Sequence, residues 1–344
     1  MPPSHKKALA DISKCRTQEL GGQTYLCLKC GEFLYSYHSC KNRHCPKCGN
    51  DQATQWLQEH IHQLLPVPHF LVTFTLPDPL RKLARSHQKM IYEILMTTAC
   101  RSLETLALNP KWIGGIIGSV AVLQTWTRDL RYHPHVHVIA TGGGLSKDGK
   151  KWMPAEKGFL VPQPALAKVF RGKFRSKLSR HPIYREVPSS VWSTDWVVDI
   201  RPVGDGHAAF RYVAPYIFRV AITNNRILSC KDGEVTFRFK DSDAPDGKMR
   251  IATLTAEDFL HRFLQHVLPL RFRKVRHYGL FSPHKKELLQ EARLMFFLPS
   301  PSESQPDRHE PNPKTLPCPN CAVPMILLEL IPRRHSIHLE SRSP

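Results

Sequence analysis

Acidic residues are scarce: 29 Asp and Glu stand against 49 Lys and Arg in 344 residues, a formal charge of +20 at pH 7. That deficit argues against a plain metabolic enzyme and for a polyanionic partner, either nucleic acid or an acidic membrane face. Long apolar runs are missing as well. No stretch approaches the roughly 18 residues needed to span a bilayer, and the N-terminal MPPSHKK is followed by no apolar signal core, so no membrane association and a cytoplasmic location are expected. The bulk composition lacks nothing: 41% hydrophobic and 23% charged residues are ordinary globular values, which excludes wholesale disorder, collagen and coiled coil. At roughly 100–200 residues per domain, the length suggests two or three domains.

Six of the ten cysteines fall within the first 48 residues, after which the sequence changes character. We therefore expect a cysteine-rich module over 1–65, closed by a connecting helix over 53–65, a larger domain over 66–298, and a Pro/Ser-rich linker with a basic tail over 299–344. In the larger domain, HFLVTFTLP from His69, IIGSVAVLQTW (116–126), HPHVHVIATGGGL (133–145) and WSTDWVVDIRPV (192–203) read as strands. Residues 79–108 read as a long basic amphipathic helix or a helix pair, and 207–222 as a second helix. LysAspGlyGlu between RILSC and VTFRFK signals a hairpin. The order points to an α+β fold with a mainly antiparallel sheet.

Cys27-x2-Cys30-x14-Cys45-x2-Cys48 presents two Cys-x-x-Cys turns, and four thiolates can surround one Zn²⁺ tetrahedrally. A closed site of this kind is structural. The region has too few apolar residues for an independent core, so the metal supplies much of its folding free energy and leaves Lys29, Lys41, Arg43 and Lys47 to meet DNA. Cys15, Cys40, His38 and His44 lie close by in sequence and are candidates for a second site or spectators. Cys318-Pro-Asn-Cys321 is half a zinc site with no matching pair, for which His335 and His338 are candidate partners.

HisProHisValHis (133–137) is the second constellation. On a strand, alternate residues share a face about 6–7 Å apart, so His135 and His137 can converge on one divalent ion while Val136 enters the core. The third is Tyr212 and Tyr216, at i, i+4 in a helical stretch and so on nearly one face. A phenolate is a competent nucleophile toward phosphorus, and Arg211 and Arg219 can help hold a phosphate. Basic residues with interleaved aromatics, among them Arg171, Lys173 and Arg175 with Phe170 and Phe174, suit a single strand whose phosphates meet cations and whose bases stack.

Taken in order, CysLeuLysCysGly (27–31), SerCysLysAsnArgHisCysProLysCys (39–48), PheThrLeuPro (74–77), HisProHisValHisVal (133–138), GlyGlyGlyLeu (142–145) and YVAPYIFRVAITNNR (212–226) resemble the two-tyrosine rolling-circle transposases of the HUH nuclease superfamily, the insertion sequence 91 kind. The resemblance implies an N-terminal zinc-binding domain and an HUH-type nuclease domain whose antiparallel sheet is flanked by helices. It also implies metal-assisted transesterification on single-stranded DNA at mobile-element ends and at a target, through a 5′-phosphotyrosine link. Mg²⁺ or Mn²⁺ would sit on His135 and His137, with Gln124 nominated as third ligand because its strand is expected to pair with the histidine strand. A bacterial, nucleoid-associated location goes with that activity. Where family members place a helix-compatible residue between the tyrosines this chain has Pro215, whose kink re-aims one phenol relative to the other and favours Tyr216 as the attacking group. The alternatives are a replication initiator or relaxase with the same chemistry, a noncatalytic zinc-dependent DNA-binding protein, and an RNA-binding zinc protein.

Overall fold

The computed structural model describes residues 1–48, 65–204, 221–241, 248–298 and 316–333. The chain divides into two compact units, one built from 1–49 and 305–344 and the other from 50–304. The residues 316–333 thus belong to the cysteine-rich unit instead of forming a separate tail. The connecting helix expected over 53–65 and the linker after 298 lie largely or wholly outside the described residues.

The cysteine-rich unit holds helix α1 (Pro3–Ser13) and strands β1 (Gly22–Leu26) and β2 (Phe33–Tyr37). These two strands pair antiparallel, with Leu26 opposite Phe33 and Gly22 opposite Tyr37. The third strand of this sheet comes from a segment some three hundred residues further along the sequence, 326–331.

In the larger unit, β3 (His69–Thr75) is followed by helices α2 (Arg81–Ser86) and α3 (Gln88–Ala107). The basic segment 79–108 is therefore a helix pair, broken at His87, whose backbone (φ −124°, ψ 45°) is not helical. The longer helix contains no Gly or Pro and buries Ile91, Tyr92, Leu95, Met96, Ala99 and Leu103, the 3–4 spacing of one face. Strands β4 (Gly118–Trp126) and β5 (Tyr132–Thr141) come next, then a small hairpin of β6 (Gly143–Leu145) and β7 (Trp152–Pro154). Gly144 is required there: a Cβ would lie 2.7 Å from the backbone of Gly115.

Helix α4 (Gln163–Leu178) buries Leu166, Phe170, Phe174 and Leu178, and strand β8 (Val198–Pro202) follows. A second antiparallel sheet contains β9 (Ile227–Lys231), β10 (Glu234–Lys240) and β11 (Met249–Thr255). The expected hairpin joins its first two strands, with Asp232 and Gly233 both at positive φ (52° and 76°) as a two-residue primed turn requires. Thr255 caps α5 (Ala256–Leu264), accepting from the Asp258 N–H at 3.1 Å. Strand β12 (Val275–Gly279) and helix α6 (Lys286–Met295) complete this unit, and β13 (Ile326–Ile331) belongs to the other, where it pairs antiparallel with β1.

The main sheet has the order β12-β4-β5-β3-β8 and every neighbouring pair is antiparallel. Its two faces differ. Phe70, Val72, Phe74, Ala121, Leu123, Val136, Val138 and Ala140 point into the core shared with α3 and α4. One residue out of step, Thr73, Gln124, His135 and His137 share the opposite face, as the period of two demands. The mixed architecture is the expected α+β one, with an antiparallel sheet and helices.

One expectation fails on this core. Phe170 and Phe174 are fully buried, each 5.1 Å from the Trp196 ring, so neither can stack on an unpaired base. Burying a phenylalanine yields roughly 1.5–3 kcal/mol, and the 3.6-residue repeat of α4 turns both rings inward.

A candidate cation site on the main sheet and two cysteine centres

The central strand β5 presents His135 and His137, and its neighbour β4 presents Gln124 directly opposite His135. Both imidazole Nε2 atoms lie 3.0 Å from Gln124 Oε1, and the two rings are 4.8 Å apart at 89°. The structure thus brings together the three residues expected around a divalent ion. All three are nearly buried, at 4%, 9% and 8% exposure for Gln124, His135 and His137.

The hydrogen-bond roles are informative. His135 Nδ1 lies 2.7 Å from the His133 carbonyl, which can only accept, so Nδ1 carries the proton. Burial, together with the charges of His133 and Arg81, drives the His135 pKa down to about 4 despite that bond. At neutral pH its Nε2 is therefore a lone pair aimed at Gln124. His137 Nδ1 meets Thr73 Oγ1 at 3.1 Å, a contact across β3 that orients the second ring. Gln124 Nε2 is buried with no partner among the described residues. Two imidazoles and a carbonyl converging on one point suit a small divalent cation, since such an ion satisfies all three acceptors at once.

Asp199 shares this face but sits two strands from β5, roughly 10 Å away, and pairs with Arg201 at 2.6 Å. The oxygen donor beside the histidines is therefore Gln124. His133 is half-buried and also pushed down to about 4, by burial first and then by Arg81 and Arg131. Tyr212 and Tyr216, with Arg211, Pro215 and Arg219, lie outside the described residues.

The expected grouping of Cys27, Cys30, Cys45 and Cys48 is corrected. Cys45 and Cys48 join Cys15 and Cys40, while Cys27 and Cys30 join Cys318 and Cys321; in each set one sulfur from every residue lies within 4.8 Å of the others. The reason is topological: β13 lies alongside β1 and delivers the distant pair next to Cys27, which leaves Cys45 and Cys48 free to close on α1. In the first set Cys40 and Cys48 sulfurs are 3.7 Å apart and the Cys40 N–H donates to Cys15 Sγ at 3.5 Å.

Left to themselves, the thiols of a set do not ionise together. Burial pushes Cys48 up to about 11 and Cys40 higher, whereas the Cys40 N–H and neighbouring thiols outweigh burial and lower Cys15. In the other set the Cys30 N–H lowers Cys27 to about 6. Only a cation stabilises four thiolates at once, and both sets fit Zn²⁺. Sequence reasoning missed Thr73, which carries no signal beyond its place on a neighbouring strand. It also left Cys318 and Cys321 without a matching cysteine pair, although eight cysteines in clusters already matched two sets of four.

Of the cations expected to meet DNA, four described ones have partners within the chain. Arg171 donates to the Thr194 carbonyl at 2.5 Å, and Arg175 donates to Tyr184 Oη at 2.9 Å while covering the Trp192 ring. Lys173 is half-buried; Arg43 is half-buried against His44; Lys47 is exposed and reaches the Cys15 carbonyl at 3.4 Å. Among the described residues no helix is long and apolar enough to cross a membrane.

These features define an antiparallel-sheet protein with two histidines and a glutamine converging on one face of its main sheet and a cysteine-rich unit whose eight thiols gather in two sets of four. Residues 118–288 match the family described as "Putative transposase", and residues 1–76 match the family described as "Transposase zinc-binding domain". The chain is similar to "Putative transposase y4qJ" of Sinorhizobium fredii, 34% identical over 324 residues that cover 88% of this chain and 81% of the relative. It is also similar to the transposase for insertion sequence element IS801 of Pseudomonas savastanoi pv. phaseolicola, 26% identical over 284 residues, 78% of this chain and 68% of the relative. No solved structure matches. The chain belongs to the insertion sequence 91 family of transposases with an N-terminal zinc-binding domain.

Proposed function

We propose that this transposase moves DNA by rolling-circle single-strand cleavage and rejoining through a 5′-phosphotyrosine intermediate. The observation that carries the reading is the convergence of His135 Nε2 and His137 Nε2 on Gln124 Oε1. His135, His137 and Gln124 would hold Mg²⁺ or Mn²⁺, which would supply Lewis-acid polarisation of the scissile phosphate. His135 contributes a neutral nitrogen ligand, kept neutral by burial and oriented by the His133 carbonyl, and His137 a second nitrogen, oriented by Thr73. Tyr216, or Tyr212, attacks the phosphorus in line. The phenol gives up its proton to solvent, a bond forms between its oxygen and phosphorus, the bond from phosphorus to the 3′ oxygen breaks, and that oxygen takes a proton from solvent to leave a free 3′-OH. The second tyrosine accepts the other strand end, so donor and target are cut in turn.

The partners in this reading are single-stranded DNA at element ends and target DNA, met by a basic chain of charge +20. A nucleoid-associated location follows from it. Arg43, Lys47, Lys173, Arg211 and Arg219 are the cations assigned to phosphate, whereas Arg171 and Arg175 brace the 184–194 segment. The test is incubation of the full chain with labelled single-stranded element ends. Wild type with Mn²⁺ or Mg²⁺ gives a covalent protein–DNA band, and the Tyr212→Phe, Tyr216→Phe double variant gives none. An undiminished band in that variant overturns the assignment, and the absence of any band in wild type favours a noncatalytic DNA-binding protein.

A further inference from the structure

We propose that Cys27, Cys30, Cys318 and Cys321 form a second zinc centre, a zinc ribbon whose two halves come from residues nearly three hundred positions apart. The match to a zinc-binding domain stops at residue 76, so half of this ligand set lies outside it. The sulfur geometry fits the metal. Four sulfurs at about 2.3 Å from a tetrahedral zinc stand about 3.8 Å from one another. Here Cys27 and Cys321 are 3.5 Å apart, Cys30 and Cys318 3.5 Å, and Cys30 and Cys321 3.7 Å. All four are free thiols, not disulfides.

The backbone around them is built the same way twice. The Gly31 N–H donates to the Cys27 carbonyl at 2.9 Å and the Cys27 N–H to the Glu32 carbonyl at 2.9 Å. In the second turn the Ala322 N–H donates to the Cys318 carbonyl at 2.9 Å and the Cys318 N–H to the Val323 carbonyl at 2.9 Å. The residue after the second cysteine takes a left-handed conformation in both, Gly31 at φ 72° and Ala322 at φ 58°. Glycine adopts that conformation freely, whereas alanine rarely does, so the second turn holds its shape against its own residue preference.

The two turns are locked in register. β1 and β13 pair with Leu26 opposite Ile326, which sets the turns side by side, and Asn320 Nδ2 donates to Glu32 Oε2 at 3.0 Å across them. Cys27 and Cys318 are buried with Met325, packed by Tyr25, Leu34 and Val323. This small cluster is the apolar floor of a four-sulfur site, and it is too small to hold two distant segments together without the metal.

The test is metal content of the full-length chain purified without added metal. Two zinc atoms per chain are expected in wild type and in Cys100→Ser, whose cysteine lies in neither set, and one in the Cys318→Ser, Cys321→Ser double variant. A double variant that keeps two zinc atoms, or a wild type with one zinc or with iron, overturns the proposal. X-ray absorption at the zinc edge of wild type does not depend on any variant folding. An all-sulfur shell supports two Cys₄ centres, whereas one nitrogen for every three sulfurs means that histidines complete the second centre and overturns this ligand set. Neither measurement involves DNA, so their failure is distinct from failure of the cleavage reading.

Discussion

The cation site of the main sheet and the cysteine centres gather their ligands in opposite ways. His135, His137 and Gln124 come from two adjacent strands, 11 and 13 residues apart, and are assembled by strand periodicity and one tight connection. The thiols of the second cysteine centre come from positions 288 and 294 residues apart. The first arrangement rides on a sheet whose other face is packed into the core, so its geometry exists before any ion arrives. The second arrangement carries little apolar support and owes its geometry to the metal. A preorganised nitrogen and oxygen site on a rigid face suits chemistry, whereas a closed sulfur site suits structure.

Breaking the cysteine side should give the largest effect. Cys45→Ser with Cys48→Ser is expected to cost the first centre its metal and, with it, on the order of 10 kcal/mol of folding free energy for the cysteine-rich unit. Limited proteolysis should then digest residues 1–48 while the main-sheet domain survives. Survival of both regions would show that the module folds without this metal.

His135→Ala attacks the other side. It should slow formation of the covalent DNA adduct by roughly 10²–10³-fold, the scale of losing one electrostatic stabiliser, and leave zinc content unchanged. A parallel loss of zinc would mean that the two regions are not independent.

Acid separates them further. His266 is 2% exposed, donates through Nε2 to the Leu130 carbonyl, and is pushed down to about 4, by burial first and also by Arg85. A buried histidine kept neutral in the folded state takes a proton on unfolding. Its contribution is therefore present above the unfolded pKa near 6.5 and is lost as pH falls toward 4, by no more than about 3 kcal/mol. The main-sheet domain should show a falling Tm over that window, and His266→Gln should flatten the slope. An unchanged slope would reject the burial argument.

The gentlest probe is Thr73→Val. It removes the hydroxyl beside His137 Nδ1 and should weaken Mn²⁺ binding roughly tenfold in a titration, with unchanged Tm. No change would mean that β3 does not orient the ring.

Legibility followed the same division. The histidine face could be read because a period of two is local, and Val136 turning inward between the histidines is its direct consequence. Gln124 followed from antiparallel pairing of consecutive strands, which places it opposite His135. The inward phenylalanines of α4 were open to either reading, since a basic helix with two aromatics looks alike whether the rings meet bases or core; only Phe74 and Trp196 around them decide. The grouping of the cysteines was hidden for a different reason. Knuckle spacing tells which two sulfurs meet, not which two pairs meet, and here the answer rests on β13 finding β1.

The separation of Cys30 from Cys318, 288 residues, is also an interval of time. A ribosome adding about 5–20 residues per second needs on the order of 15–60 s to carry synthesis from one to the other. For most of that interval Cys27 and Cys30 have half a ligand set, while Cys15, Cys40, Cys45 and Cys48 have all been made. The module therefore matures in two stages, the first centre early and the second only once residues 318–321 have been made. A polypeptide cut short before Cys318 leaves Cys27 and Cys30 without their other two ligands.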